Sequence, residues 1–459
     1  MQKHHSVVVV GAGLSGLSTA HFLRKRSPDL DVVLLEQDER PGGSMMSFEE
    51  QGFRAEWGPH GFLDNTPESQ ELLHDTGLYE HCQQAPLGDF YRYVCHKGRL
   101  VRLPQSFFAV LTTPLVSFWG KLRALADLWR KPKHEDMSIG DWVAYRFGKS
   151  ILPLVDAAVT GSFAGDYTKL SIDAVMPGVR RLEKETGSVV RGLIKMKKEK
   201  AEQRKKMRLP SMLNFPEGIE TLIKAMSASH NIQFNTTVQA IEHTDNIWHI
   251  QTNQETYTAD AVVLALPVNA SLKLLKQRKE PPVQSTPTSQ IYNVVLGFTD
   301  DAKVPYGFGY LAPEREKRFT LGVMFTSHMF PNRAPEGHVL MEALVGGRRH
   351  PERLELSDEE LIENVLDDIK QLIDLPEKPV FASVLRTQNC IPQMEMDHPK
   401  LQEWRNAIEQ EENSLYLCGF GWDGIGINDM IKSAKKAAEA LAEGRERAQE
   451  QAKVKPIYF

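Results

Sequence analysis

Four consecutive valines at residues 7–10 and a second mostly apolar run at residues 31–35 (DVVLL) bracket a stretch with helical spacing at residues 17–24. Uninterrupted β-branched runs of this length suit strands of a parallel sheet covered on both faces. The opening therefore predicts strand, helix, strand. Residues 232–258 alternate in polarity around Trp248 like a hairpin, and residues 259–267 (ADAVVLALP) predict a buried strand closed by a proline turn. A last apolar run, residues 415–418, precedes an Ala- and Lys-rich helical pattern reaching about residue 443. The pattern is that of an α/β protein.

Between the first strand and helix lies Gly11-Ala12-Gly13-Leu14-Ser15-Gly16. In such a turn the first glycine permits the reversal, the second lets the backbone approach a pyrophosphate, and the third lets helix and strand pack closely. The helix start then offers unpaired N–H groups and a partial positive charge to phosphate. Glu36 ends the second strand 20 residues beyond Gly16, where a carboxylate accepts hydrogen bonds from ribose hydroxyls. A dinucleotide is expected here. Arg40-Pro41-Gly42-Gly43 follows at once, and resembles the RxGG element of flavoproteins in the amine oxidase superfamily. Its glycines bring backbone N–H groups beside the cofactor while Arg40 neutralises phosphate charge, a second clasp that favours FAD over an exchangeable nicotinamide.

Residues 419–429 (GFGWDGIGIND) place four glycines in eight positions between a strand and a helix, which implies close backbone approach to a flat or charged group. The helix start there would face the electron-rich end of a reduced flavin.

Composition narrows the rest. At 459 residues, two or three domains fit, with room for an internal cavity. A net charge of −5 gives no reason to expect nucleic acid. Cys82, Cys95, Cys390 and Cys418 lie far apart, which argues against a metal site or a disulfide framework and fits a reducing compartment. No secretory signal is read at the N-terminus, so a cytoplasmic location is expected.

Residues 106–120 are uncharged and interrupted by Pro114, too short for a spanning helix. A buried helix pair, a channel wall and an anchor lying in one leaflet all remain open. Residues 191–208 carry nine basic side chains against Glu199 and Glu202: a solvated face, or one that attracts anionic lipid at the inner surface of the membrane.

Further motifs carry a resemblance over nearly the whole chain: GAGLSGL, RPGG, WGPHG, GSFAGDYTKLS from Gly161, GFGYLAP from Gly307, LGVMFTSHMFPNRAP, VGG, NCIPQ ending at Gln393, and GWDGIGINDMI. The chain resembles the protoporphyrinogen oxidase family, FAD enzymes of haem biosynthesis. It departs at His60, Met394, Met430 and Ala434, where the family more often carries other residues.

The resemblance implies a discontinuous Rossmann-type FAD domain (residues 1–87, 214–272 and 388–459), a mixed-sheet substrate domain (88–105, 187–213 and 273–387) and a mostly helical insertion (106–186) associated with a membrane or lining a channel. It implies that FAD meets Gly11, Ala12, Gly13, Leu14, Ser15, Gly16, Glu36 and Gln37, then Arg40, Gly42, Gly43 and Ser44. Gly58, Pro59, His60, Gly61, Val238, Ile425, Gly426 and Ile427 complete that set. The macrocycle would lie between Leu311 and Met324 on one side and Leu344 on the other, with the Gly165 carbonyl facing its nitrogens and Arg92 meeting a propionate. Such contacts suit a large apolar disc charged only at its carboxylates.

The expected reaction removes six electrons from protoporphyrinogen IX in three two-electron steps, with oxygen or a quinone as acceptor. The flavin carries the chemistry, and neither His60 nor His328 is assigned a catalytic part. Alternatives are coproporphyrinogen III, whose two extra carboxylates would call on cations such as Arg102 and Arg181, or an amine on the same scaffold. The expected partners are the porphyrinogen, the electron acceptor, a membrane periphery and a second copy of the chain.

Overall fold

A computed structural model describes residues 3–104, 112–202 and 209–443, the side chains of residues 199–202 excepted. Residues 106–111 of the uncharged stretch and much of the basic run at 199–208 lie outside the described residues.

The first sheet has seven strands, in the order Asn231–Gln233, Val32–Leu35, Lys3–Val10, Thr256–Ala265, Ile247–Thr252, Val238–Thr244. Leu415–Cys418 joins it in parallel at the C-terminal half of Thr256–Ala265. Chain segments from the beginning, middle and end thus share one sheet. The four valines divide as a doubly covered strand requires. Val7 and Val9 pack with Leu14, Leu17 and Ile431, and Val8 and Val10 pack with Leu272 and Trp404 on the other side.

The first strand starts four residues before its valine run, because Lys3 and His4 extend the ladder against Tyr257 and Thr258. The first helix is Leu14–Arg26, three residues ahead of the predicted start. The Leu17 N–H already bonds the Gly13 carbonyl (3.0 Å), so residues 14–16 form its first turn.

The second seven-stranded sheet runs Phe381–Leu385, Ile291–Thr299, His338–Gly346, Gly322–Met324, Gly309–Leu311, Arg92–His96, Arg99–Arg102. It is mixed, since Gly309–Leu311 pairs in parallel with Arg92–His96 and the other ladders are antiparallel. The helix Asp358–Lys370 covers one face through Leu361 and Val365.

A helical body lies between, built from Ile139–Arg146, Leu152–Phe163, Pro177–Thr186 and Val189–Glu202, among others. It extends past the expected boundary at residue 186. Buried Asp127 accepts the Ser188 hydroxyl and the Val190 N–H (2.9 Å), and Arg146 donates to the Gly187 carbonyl (3.2 Å). Residues 187–190 are therefore held in the helical body rather than by the second sheet. Likewise Ser211–Asn214 pairs with Phe62–Leu63 and Gln83–Pro86, which ties residues 211–213 to the N-terminal segment. Among the described residues no helix is long and apolar enough to cross a membrane.

Candidate active site

The three glycines of the first turn differ in conformation and in the space around them. Gly11 takes φ +97°, open to glycine and strained for other residues. A Cβ on Gly16 would stand 1.9 Å from the Gly11 carbonyl oxygen, whereas a Cβ on Gly13 would meet nothing within 4 Å. Close packing sits at the third glycine and open space at the second. The helix above has no side-chain cap and no acidic residue in its first turn, and the buried Ser15 hydroxyl has no hydrogen-bond partner. An unneutralised helix start with an orphaned hydroxyl fits a pyrophosphate.

Glu36 is buried, accepting from the Ala12 N–H (2.7 Å) and the Asp38 N–H (3.1 Å). Burial pushes its pKa up against those two bonds, so a ribose diol donating to it would be stabilising. The Thr236 N–H donates to the Glu36 carbonyl (2.8 Å), which brings Val238, half-buried two residues on, to the ribose end of the groove. Gln37 follows Glu36 and is exposed.

The RPGG turn is the second side of this clamp. The Gly42 N–H bonds the Ala12 carbonyl (2.9 Å), and Gly13 and Gly42 form a parallel bridge. A Cβ on Gly58 would stand 2.2 Å from the Ser44 carbonyl, so WGPHG packs directly on this turn. Arg40 donates to the Pro41 and Gly43 carbonyls (3.1 and 2.7 Å). These contacts give it a part in holding its own turn, which its expected phosphate role did not foresee.

The C-terminal glycine loop closes the groove. Leu266 touches both glycine turns: its side chain lies 3.0 Å from a Cβ on Gly11, and its carbonyl 2.3 Å from one on Gly419. Asp423, held down by Arg405 and Ser433, fixes the loop from behind. Ile427 is core beside Leu14, and Ile425 packs toward Phe163 and Leu170 of the helical body. The positive end of the last helix is partly answered already, because the Gly426 N–H contacts the Asp429 carboxylate (3.4 Å).

The residues expected to meet the substrate fall on one face of the second sheet. Its ladders align Leu311, Gly322, Leu344 and Asn293 in one row, and Arg92, Gly309, Met324 and Glu342 in the next. Side chains two apart in a strand share a face, so both rows look the same way. Tyr93, Tyr310, Val323 and Ala343 point oppositely into the core under Asp358–Lys370. Those four are buried, while Leu311, Met324 and Leu344 are each partly open. Two glycines among these apolar side chains leave a flat shelf. Gly161 of the helix Leu152–Phe163 sits over its edge, where an added Cβ would lie 2.9 Å from Leu311. The turn carrying Gly165 follows that helix.

Arg92 is half-buried at the end of this shelf. Its Nε and Nη1 are buried without a hydrogen-bond partner, and burial alone pushes its pKa down. Such a guanidinium lacks an anion. Arg102 and Arg181 do not join it: Arg102 lies over the Tyr91 ring (3.7 Å), and Arg181 pairs with Glu185 (3.4 Å).

A buried polar cluster was missed by sequence reasoning. His60 Nε2 lies 2.8 Å from Glu342 Oε2, Asn293 donates to the same carboxylate, and Arg333 pairs with Glu56 (2.8 Å) one step behind. Burial opposes charge on His60, but Glu342 beside it wins and raises its pKa; Glu342 is correspondingly lowered. The one sequence signal was a glutamate inside the otherwise apolar strand VLMEALV.

A family model described as flavin containing amine oxidoreductase matches residues 14–442. The chain is 28% identical over 466 residues to coproporphyrinogen III oxidase of Staphylococcus aureus, covering 95% of this chain and 98% of the relative. It is 27% identical over 480 residues to protoporphyrinogen oxidase 2, chloroplastic/mitochondrial, of Arabidopsis thaliana, covering 95% and 93%. A solved structure from Exiguobacterium sp. 255-15 shares the fold with a TM-score of 0.79 at 22% identity, covering 97% of this chain and 100% of its own. A reduced UDP-galactopyranose mutase does so with a TM-score of 0.72 at 16% identity, covering 97% of each.

Proposed function

The chain belongs to the flavin-containing amine oxidoreductase family, takes FAD, and, we propose, oxidises protoporphyrinogen IX to protoporphyrin IX with oxygen as electron acceptor. One observation carries the substrate reading: a single unpaired guanidinium, Arg92, at the end of an apolar shelf built on two glycines. That shelf suits a broad apolar ring carrying carboxylates at one edge. Among the described residues an amine would find no carboxylate free to receive it there, since Glu342 is engaged by His60 and Asn293.

Bound FAD accepts two electrons at a time, so the six removed from the ring require three rounds, with three molecules of oxygen reduced to hydrogen peroxide. The chain supplies the rest. Leu311, Met324 and Leu344 offer the ring flat contacts and exclude water, while Arg92 anchors its charged rim and so fixes its rotation. Gly165 offers a carbonyl to pyrrole N–H groups. Aromatisation drives the reaction, and no side chain need act as a strong base.

Coproporphyrinogen III is the second reading, favoured by the Staphylococcus aureus relative's name. Turnover of the two porphyrinogens side by side, read by porphyrin fluorescence, separates them: protoporphyrinogen IX is expected to be preferred, and the opposite preference overturns this reading. Arg92→Ala should raise KM about ten- to hundredfold, the worth of one charge-assisted hydrogen-bonded contact, with a smaller change in kcat. An unchanged KM removes the anchor.

The helical body carries a surface that supports peripheral membrane contact. Phe118, Trp119 and Trp129 are 67%, 76% and 75% exposed, and Leu193 and Ile194 stand out beside exposed Lys197 and Lys198. Aromatic side chains flanked by lysine suit the boundary of an anionic bilayer. The Trp119→Ala, Trp129→Ala double variant should bind vesicles containing phosphatidylserine about tenfold less tightly than the parent, as loss of two interfacial aromatics implies. Equal binding discards the membrane reading.

A further inference from the structure

The NCIPQ motif has no part in the reading above, yet its last residue holds the turn that follows the helix Leu152–Phe163. The helix Leu152–Phe163 ends at Ala164, which adopts a left-handed conformation with φ 45° and ψ 36°. Alanine in that region is strained, and strain of this kind persists only where the surroundings over-determine it.

Here they do. The Gln393 side-chain amide donates to the Phe163 carbonyl (3.0 Å) and to the Ile391 carbonyl (3.1 Å). The Ala164 carbonyl accepts from the Ser289 hydroxyl and from the Arg348 N–H, both 2.8 Å. Ser289 and Gln393 come from the two sides of one small ribbon, Thr288–Ser289 paired with Ile391–Pro392. Gln393 is fully buried, and its Oε1 has no hydrogen-bond partner. That oxygen stands 2.6 Å from where a Cβ on Gly165 would be. The amide orientation is fixed by its two carbonyl acceptors, so the orphaned oxygen must face Gly165.

The turn thus bonds the segment just after the strand His338–Gly346 through Arg348, while the helix before it packs close to Leu311 at Gly161.

We propose that Gln393 is a positioning residue that holds the left-handed turn at Ala164 and so fixes the Gly165 carbonyl, which the porphyrinogen reading sets against the ring nitrogens. This rests on the porphyrinogen reading, and wild-type turnover of a porphyrinogen tests that reading separately. Gln393→Leu leaves the Phe163 carbonyl without its donor and lets the turn relax. In the FAD-loaded protein, kcat with protoporphyrinogen IX should fall at least tenfold. KM, the visible flavin spectrum and the affinity for protoporphyrin IX by fluorescence titration should change less than threefold.

Adding Ala164→Gly to that variant removes the strain the clamp opposes, since glycine adopts a left-handed turn freely, and should recover most of the lost kcat. Unchanged kinetics in Gln393→Leu, or a loss that Ala164→Gly does not repair, overturns the proposal. Should Gln393→Leu not fold, Ser289→Ala removes the neighbouring donor at smaller cost. A several-fold fall in its kcat at constant KM supports the clamp, and no change overturns it.

Discussion

Gly16→Ala is expected to yield a protein purified without yellow colour. The added methyl would stand 1.9 Å from the Gly11 carbonyl oxygen and 3.0 Å from its carbon, both backbone atoms that no rotamer change can move. Leu14–Arg26 would have to lift off Lys3–Val10, taking with it the helix start expected to meet the pyrophosphate. Overpacking of this kind costs about 1–3 kcal/mol, and each charge-assisted hydrogen bond lost from phosphate about as much. FAD affinity should fall by at least about a hundredfold on that accounting. Gly13→Ala is the matched contrast, because its methyl points into open space. The apo-protein should unfold at the parent's denaturant midpoint while FAD binding still weakens, since the methyl would enter the space expected to hold the pyrophosphate. A titration of apo-Gly13→Ala showing parental affinity would place the pyrophosphate elsewhere.

How much of this was legible depends on how local the cause was. The nucleotide groove was readable because three glycines at fixed spacing, a valine run and Glu36 lie within about forty residues, and each acts through its neighbours along the chain. The valines' division between two layers follows directly from their β-branched, uninterrupted run. The candidate shelf was approached only through family resemblance. Leu311, Met324 and Leu344 become a surface when three strands align Gly309 and Gly322 between them, a register no periodicity in those segments announces. The packing of residues 187–190 into the helical body was hidden for a related reason. Asp127 captures Ser188 and Val190 from some sixty residues away, and nothing near residue 187 signals it. His60 and Glu342, 282 positions apart, were invisible as a pair.

That pair should dominate stability around its site. Glu342→Leu leaves His60 and Asn293 without their buried acceptor, a loss of about 3–5 kcal/mol for breaking a buried ion pair from one side. Replacing both partners, with His60→Leu added, should restore most of that, since two packed apolar groups need no compensation. Unfolding is measured at fixed saturating FAD, because bound cofactor itself stabilises the fold.

The pH dependence has a defined sign. His60 has its folded pKa raised above the ordinary 6.5, so its contribution is complete below 6.5 and is lost as pH rises through the folded value. Glu342 is lowered from 4.5, so its contribution is present above 4.5 and is lost as pH falls through the folded value. The pair is therefore fully effective between those two ordinary values, with Glu56 and Arg333 the remaining charges around it. The parent should lose stability relative to the double variant as pH is raised from 6.5, and the single variant should show no such alkaline decline. Two results would remove the pair from this account: a cost under 1 kcal/mol for Glu342→Leu, or a double variant as unstable as the two single losses combined.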